Sequence, residues 1–283
     1  MNEIKVHVLH TGQVRVSPYL PFGGDNVNII KASGIFMKDE QRIWLPVAAY
    51  LIEHRNGRLL VDTGWHRAMS PKGVFDKDAQ VAHLGSKILY RVNQGIVPPG
   101  EALDEQLSVM GVKNEDITCL LMTHLDCDHA SGLAAFRNVK KIVVTKEEFE
   151  SAAKFSNAAV RYQRKWWDGI DFTFVEWNGT EGPAGHSYDV FGDGSVVMVH
   201  IPGHSDGLCA VKITNEDGKF VLLAADGGYA EKSWKEMILP GIVHDKEQIV
   251  ATLTWIREQS ESPDCIACFA THDTNVEPQV IVF

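Results

Sequence analysis

The stretch Thr123-His124-Leu125-Asp126-Cys127-Asp128-His129-Ala130-Ser131-Gly132-Leu133 puts two imidazoles and two carboxylates into six residues, directly after an apolar run from Ile117 to Met122. The run reads as a buried strand, which places these four side chains at a strand's end. In a dry interior such groups would repel one another or go without hydrogen bonds, whereas one or two divalent cations would use all of them. A metal site is the reading this spacing supports. An acidic surface turn with incidental histidines is the bland alternative, and the apolar flanks speak against it.

The segment resembles the HxHxDH signature of the metallo-β-lactamase superfamily, spelled here His124-x-Asp126-x-Asp128-His129, with aspartate where most members carry the second histidine. The resemblance implies three further ligands, each on a loop after a strand. The chain offers Pro202-Gly203-His204-Ser205, Ala225-Asp226-Gly227-Gly228-Tyr229 and Ala270-Thr271-His272-Asp273, all after apolar runs. The Asp226-x-x-Tyr229 spacing is most similar to the N-acyl homoserine lactonase and pyridoxolactonase branch. On this resemblance His124, Asp126 and His204 hold one metal, Asp128, His129 and His272 hold the other, and Asp226 bridges the two. The other eight histidines have no such support. The implied fold is α/β, a four-layer αββα sandwich, with residues 1–283 forming one domain.

Two divalent ions roughly 3.5 to 4 Å apart share a water, bring its pKa near neutrality and present hydroxide as a nucleophile. Zinc is the first expectation, with manganese and iron as the other options. The implied substrate is a small lactone or ester. Tyr229 is then the hydrogen-bond donor to the oxyanion, and Asp128 or Asp226 carries the proton to the leaving alkoxide. The aspartate at 126 affects the charge: two divalent ions, three aspartates and one hydroxide sum to zero, whereas histidine would leave one positive charge. A neutral cluster favours uncharged lactones over phosphodiesters, and a harder ligand makes manganese or iron more competitive with zinc. Aspartate is also short, so it could fall short of the metal altogether.

Three competing readings follow from the same residues. A phosphodiesterase or thioester hydrolase would use the same ligands. A flavodiiron-like redox protein carries a carboxylate at the second ligand, but it also needs a flavodoxin domain, and no Gly-rich phosphate loop follows a strand here. A non-catalytic binding module with a decayed site is suggested by Asp126 and opposed by every other ligand being in place.

The elements that must position these residues are legible as periodicity. Strands are expected at Ile4 to Leu9, Leu45 to His54 and Leu59 to Asp62, the last two joined by a hairpin turn at Arg55-Asn56-Gly57-Arg58. Asp62-Thr63-Gly64 ends the third strand, and on the resemblance Asp62 braces the metal loop from behind. Ala102 to Met110 has helical spacing and stops at Gly111. Beyond the motif come a strand at Lys141 to Thr145, a helix from Lys146 to about Phe155, and a strand at Ser195 to Ile201. A hairpin of Leu208 to Thr214 with Lys219 to Ala225 follows, then an amphipathic helix at Glu247 to Gln259 and a last strand at Cys265 to Ala270. Residues 65–100 read as a long irregular excursion. Substrate recognition is expected from residues 65–100, 155–190 and 230–245. Trp166 and Trp167 have three candidate homes there: a cap on the pocket, a packed lid, or the interface of a homodimer.

The chain has 283 residues, 45% hydrophobic and 23% charged, which is ordinary for a globular protein. A net charge of -10 and no cluster of Lys and Arg argue against nucleic acid as a partner. No apolar run approaches the ~20 residues that span a bilayer, and the start has no basic or apolar leader, so no membrane partner and a cytoplasmic location are expected. Five scattered cysteines do not form a disulfide framework, and Cys265-Ile-Ala-Cys268 reads as two buried core thiols.

Overall fold

The structure is a computed structural model, and it describes residues 3–158 and 161–283. Its strands are β1 (Lys5–Val16), β2 (Ile43–His54), β3 (Gly57–Val61), β4 (Gln94–Ile96), β5 (Ile117–Leu121), β6 (Ile142–Val144) and β7 (Phe172–Phe174), followed by β8 (Ser187–Asp189), β9 (Val196–His200), β10 (Cys209–Thr214), β11 (Phe220–Ala225), β12 (Cys265–Ala270) and β13 (Gln279–Val282). They build two sheets. One runs β13-β1-β2-β3-β5-β6-β7 with β4 added against β1, and the other runs β12-β11-β10-β9-β8.

The period-2 alternation of each strand explains why two sheets stack with helices outside. On β2, Ala48, Tyr50 and Ile52 face the core between the sheets, while Leu45, Val47, Ala49 and Leu51 face the outer helices. On β11, Val221 and Leu223 face inward, and Phe220, Leu222 and Ala224 meet Ile249, Leu253 and Ile256 of the helix Lys246–Ser260. Strands buried on both faces carry near-continuous apolar runs, as these do. The result is the expected helix-sheet-sheet-helix order, with one core between the sheets and one beneath each helical layer.

Four readings change in three dimensions. β1 runs on to Val16, and its register against β2 shifts between His10 and Gln13. Gly12 sits in this irregularity at φ +94, where a Cβ would lie 2.2 Å from the Ile96 carbonyl oxygen. One slipped residue reverses the phase, so Val6 and Val8 face the inter-sheet core while Val14 and Val16 face the outer one. Residues 65–100 contain the helices Lys77–Leu84 and Lys87–Val92 and then β4. Their key buried position is a glutamine, which apolar periodicity does not register: Gln80 donates to the Gly95 carbonyl at 2.6 Å and accepts from its N–H at 3.1 Å. Trp166 and Trp167 are 2% and 6% exposed in the outer core, with the Trp166 indole donating to the His83 carbonyl, so they are packing residues and neither cap nor interface. Cys265 and Cys268 are free and half-buried on β12, not fully buried.

Candidate metal centre

The site lies where strands of both sheets end. Asp62 follows β3, His124 follows β5, His204 follows β9, Asp226 follows β11 and His272 follows β12. The two sheets are tied there by backbone bonds, Ala48 N–H to the Thr271 carbonyl at 3.1 Å and Cys209 N–H to the Thr123 carbonyl at 3.0 Å. Asp62 and Ala225 both take left-handed backbone conformations, φ 58 and 47, although neither is glycine. Such strain persists where the surrounding structure fixes it and concentrates at functional sites.

The expected ligands come together in two buried groups. His124, His204 and Asp226 form one, and Asp128, His129 and His272 form the other, with the ligand atoms of each group within 4.8 Å of one another. Asp226 lies between them. Its Oδ1 is 3.4 Å from Nε2 of both His129 and His272, and its Oδ2 is 3.7 Å from Nε2 of His204. Asp128 Oδ2 is 3.5 Å from His272 Nε2.

Two of the imidazoles are aimed from behind. His129 Nδ1 bonds Asp62 at 2.7 Å, and His272 Nδ1 donates to the Pro46 carbonyl at 2.8 Å. Those bonds leave each Nε2 lone pair facing the site, the usual arrangement for metal-binding histidine. Asp62 also accepts from the Thr123 N–H and hydroxyl at 2.8 and 2.7 Å, so one carboxylate fixes both the start of the motif loop and its last histidine. Among the described residues, Nε2 of His124, Nε2 of His129 and Oδ1 of Asp226 are buried with no hydrogen-bond partner. Buried polar atoms without partners are costly, and a cation between them answers that cost. The residues therefore fit divalent metal ions.

Asp126 sits at the corner of the first group, with Oδ2 3.4 Å from His124 Nε2 and 3.0 Å from His204 Nε2. It is also held by a residue the sequence reading passed over. Arg161 donates from Nε to Oδ1 at 2.5 Å and from Nη2 to Oδ2 at 2.8 Å, and its Nη1 donates to the His204 carbonyl at 2.9 Å. Burial alone would raise the Asp126 carboxyl, but the guanidinium charge, with the nearby imidazoles of His124 and His204, outweighs it and holds the group well below the usual range. Arg161 adds one positive charge to the balance that had come out neutral without it. A second unforeseen residue is Glu148, fully buried on the helix Lys146–Ala153. Its carboxylate accepts from Leu125 N–H at 3.0 Å and Gly207 N–H at 3.3 Å, bracing the loops that carry His124 and His204.

A cavity of about 430 Å³ opens onto the site, with Asp126, Asp128, Arg161, Tyr229 and His272 at its polar end. Its walls are apolar and come largely from Val14, Val16, Leu20, Ile29, Ile30 and Leu89. Five of these precede residue 46, outside the three segments expected to supply recognition, while those segments contribute Ile88, Leu89 and Val92, Arg161, and Ile242. Tyr229 stacks on His272, ring centroids 5.4 Å apart, and meets His204 edge-on. Burial, and then the Asp226 charge, push its phenol well up, so it remains a proton donor.

A fold of two stacked sheets with buried histidines and aspartates where their strands end is shared by a large class of metal-dependent proteins. The description "Metallo-beta-lactamase superfamily" matches residues 42–245, more than half of the chain, and the chain belongs to that superfamily. Among curated relatives, it is 24% identical to the N-acyl homoserine lactonase AttM of Rhizobium radiobacter over 93% of this chain and 91% of that protein. It is 26% identical to the N-acyl homoserine lactonase AiiA of Bacillus thuringiensis subsp. kurstaki over 84% of this chain and 86% of that one. A structure of an N-acyl homoserine lactone hydrolase with the product N-hexanoyl-L-homoserine bound at its catalytic metal center shares the fold at a TM-score of 0.74, with 22% identity and 99% and 100% of the two chains covered. Among the described residues, no helix is long and apolar enough to cross a membrane.

Proposed function

We propose that this protein is a dinuclear metal-dependent hydrolase that opens the lactone ring of a small molecule carrying an apolar tail, with N-acyl homoserine lactones the first class to test. The observation that carries this reading is the cavity, polar where the metal-ligand groups line it and apolar along its walls. A lactone at the polar end and an acyl chain along Val14, Val16 and Ile30 would use both parts, and the lactonase names of the relatives agree with it. A neutral cluster would favour lactones over phosphodiesters. With Arg161 counted, that support is gone, and the apolar wall takes its place.

Two divalent cations, when bound, supply Lewis acidity for the carbonyl and an acidified water as nucleophile. His124, His204 and Asp226 would hold one, and Asp128, His129 and His272 would hold the other, with Asp126 beside the first group. Zinc suits this histidine-rich set, and manganese or iron are the competitors. Tyr229 donates its O–H to the carbonyl oxygen as negative charge gathers there. Ring opening breaks the acyl C–O bond and leaves an alkoxide that needs a proton. Asp128, which lines the cavity, is placed to take the proton that the attacking water gives up and hand it to that alkoxide, with Asp226 the other candidate.

The test is elemental analysis of protein purified without chelator, combined with hydrolysis assays on homoserine lactones of graded acyl length, simple lactones, aryl esters and bis(p-nitrophenyl) phosphate. Lactone turnover that rises with acyl length supports the reading. Phosphodiester turnover well above lactone turnover would replace it with a phosphodiesterase, and a protein that takes up no metal would remove it.

A further inference from the structure

Most members of the superfamily carry histidine where this chain has Asp126, and the bare carboxylate would make the cluster one charge more negative. The structure supplies the counterweight. Arg161, 35 residues away in sequence, grips Asp126 with two parallel N–H···O bonds, of 2.5 and 2.8 Å. The forked geometry matches the planar carboxylate and fixes its rotation as well as its place. The same guanidinium holds the His204 carbonyl at 2.9 Å and lies 2.8 Å from His204 Nε2, so it fastens together two loops of the first group. Asp126 Oδ2 nevertheless stays within 3.4 Å of His124 Nε2 and 3.0 Å of His204 Nε2, spacings that atoms sharing one cation adopt. Carboxylate and guanidinium together carry no net charge, as a neutral imidazole carries none.

We propose that Asp126 and Arg161 act as one neutral unit in the place of a histidine, with Arg161 the positioning residue that turns a carboxylate oxygen toward the first metal and cancels its charge. The inference rests on the two-metal reading of the site. Its consequence is that the two residues are coupled: neither can be exchanged for the common residue alone. Histidine at 126 would leave a half-buried guanidinium facing an imidazole and a cation with nothing to balance it, which is unfavourable. Removing Arg161 alone would leave a fully charged, harder ligand that shifts preference from zinc toward manganese.

The experiment measures zinc and manganese binding to metal-free protein by competition with a chromophoric chelator, for the wild type and three variants. Asp126→His should bind its first-site zinc at least about 100-fold more weakly than the wild type, and Asp126→His/Arg161→Met should return to within about tenfold of it. Arg161→Met should raise the ratio of manganese to zinc affinity about tenfold. A role for Arg161 in fold stability alone would lower the melting temperature of Arg161→Met without moving that ratio, and would not let the double variant regain zinc. If Asp126→His does not fold while the double variant folds and binds two zinc ions, the coupling stands. If neither histidine variant folds, the metal ratio of Arg161→Met decides: a shift upholds the unit and an unchanged ratio overturns it. Asp126→His binding two zinc ions as tightly as the wild type would overturn it outright. A wild type that binds two metals and opens lactones while these variants show no coupling would leave the function standing and remove this inference. A wild type that binds no metal would remove both.

Discussion

At the scale of single residues, His129 and His272 are each aimed by a partner behind them, and Tyr229 lines the cavity beside the ligand groups. Its phenol is held protonated by burial and the Asp226 charge, so its loss should affect turnover and not metal binding. Tyr229→Phe should lower the rate on a lactone by roughly 10 to 1,000-fold, the effect of one oxyanion donor, with both metals still present by elemental analysis. Wild-type turnover in that variant would make Tyr229 a packing residue. Asp62 was legible as a brace because it ends an apolar run in the place the superfamily uses, and its three bonds to Thr123 and His129 give that reading its geometry. Arg161 was not legible, because one of three cations, with Arg164 and Lys165, in an aromatic, weakly periodic stretch looks like a solvated side chain.

At the scale of elements, the strands were readable and their cross-bracing was not. The helix Lys146–Ala153 was expected, but not that its Glu148 would turn inward to accept from Leu125 and Gly207. Glu148→Gln replaces one acceptor oxygen with an amide donor opposed to an N–H. It should lower stability by about 1 to 3 kcal/mol in urea unfolding and weaken zinc binding about tenfold; a variant unchanged in both would make Glu148 a space filler. His83, in the last turn of the helix Lys77–Leu84, gives a pH dependence. Burial first, then His66 and Lys165, push it down to about 3, whereas an unfolded histidine titrates near 6.5. The fold therefore keeps it neutral. Its contribution is complete above about pH 6.5 and drains away as pH falls toward about 3, by at most ~1.4 kcal/mol per pH unit. Unfolding free energies of the wild type and His83→Gln should converge as the medium is acidified across that window; parallel curves would contradict it.

At the scale of the whole molecule, loops of both sheets contribute to one site, so cations there bind only the folded chain and should stabilise all of it. Free metal at 1,000 times its Kd adds about 4 kcal/mol, so removal by chelator should lower the melting temperature by roughly 8 to 16 °C for a chain of this size. An unchanged melting temperature after confirmed metal removal would mean the groups hold no structural cation. The sequence by itself determined the types and order of the candidate ligands and their positions after apolar runs, because each of these is written in local residue types or in a period of two or 3.6, while the stacking of two sheets between helices was implied by the resemblance to the superfamily and only permitted by the pattern. Only the tertiary structure decided that Arg161 neutralises Asp126, that Glu148 ties two loops, and that Val14, Ile29 and Leu89 wall the cavity. Those relations join residues tens of positions apart across crossing connections, where no spacing along the chain records which side chains will meet.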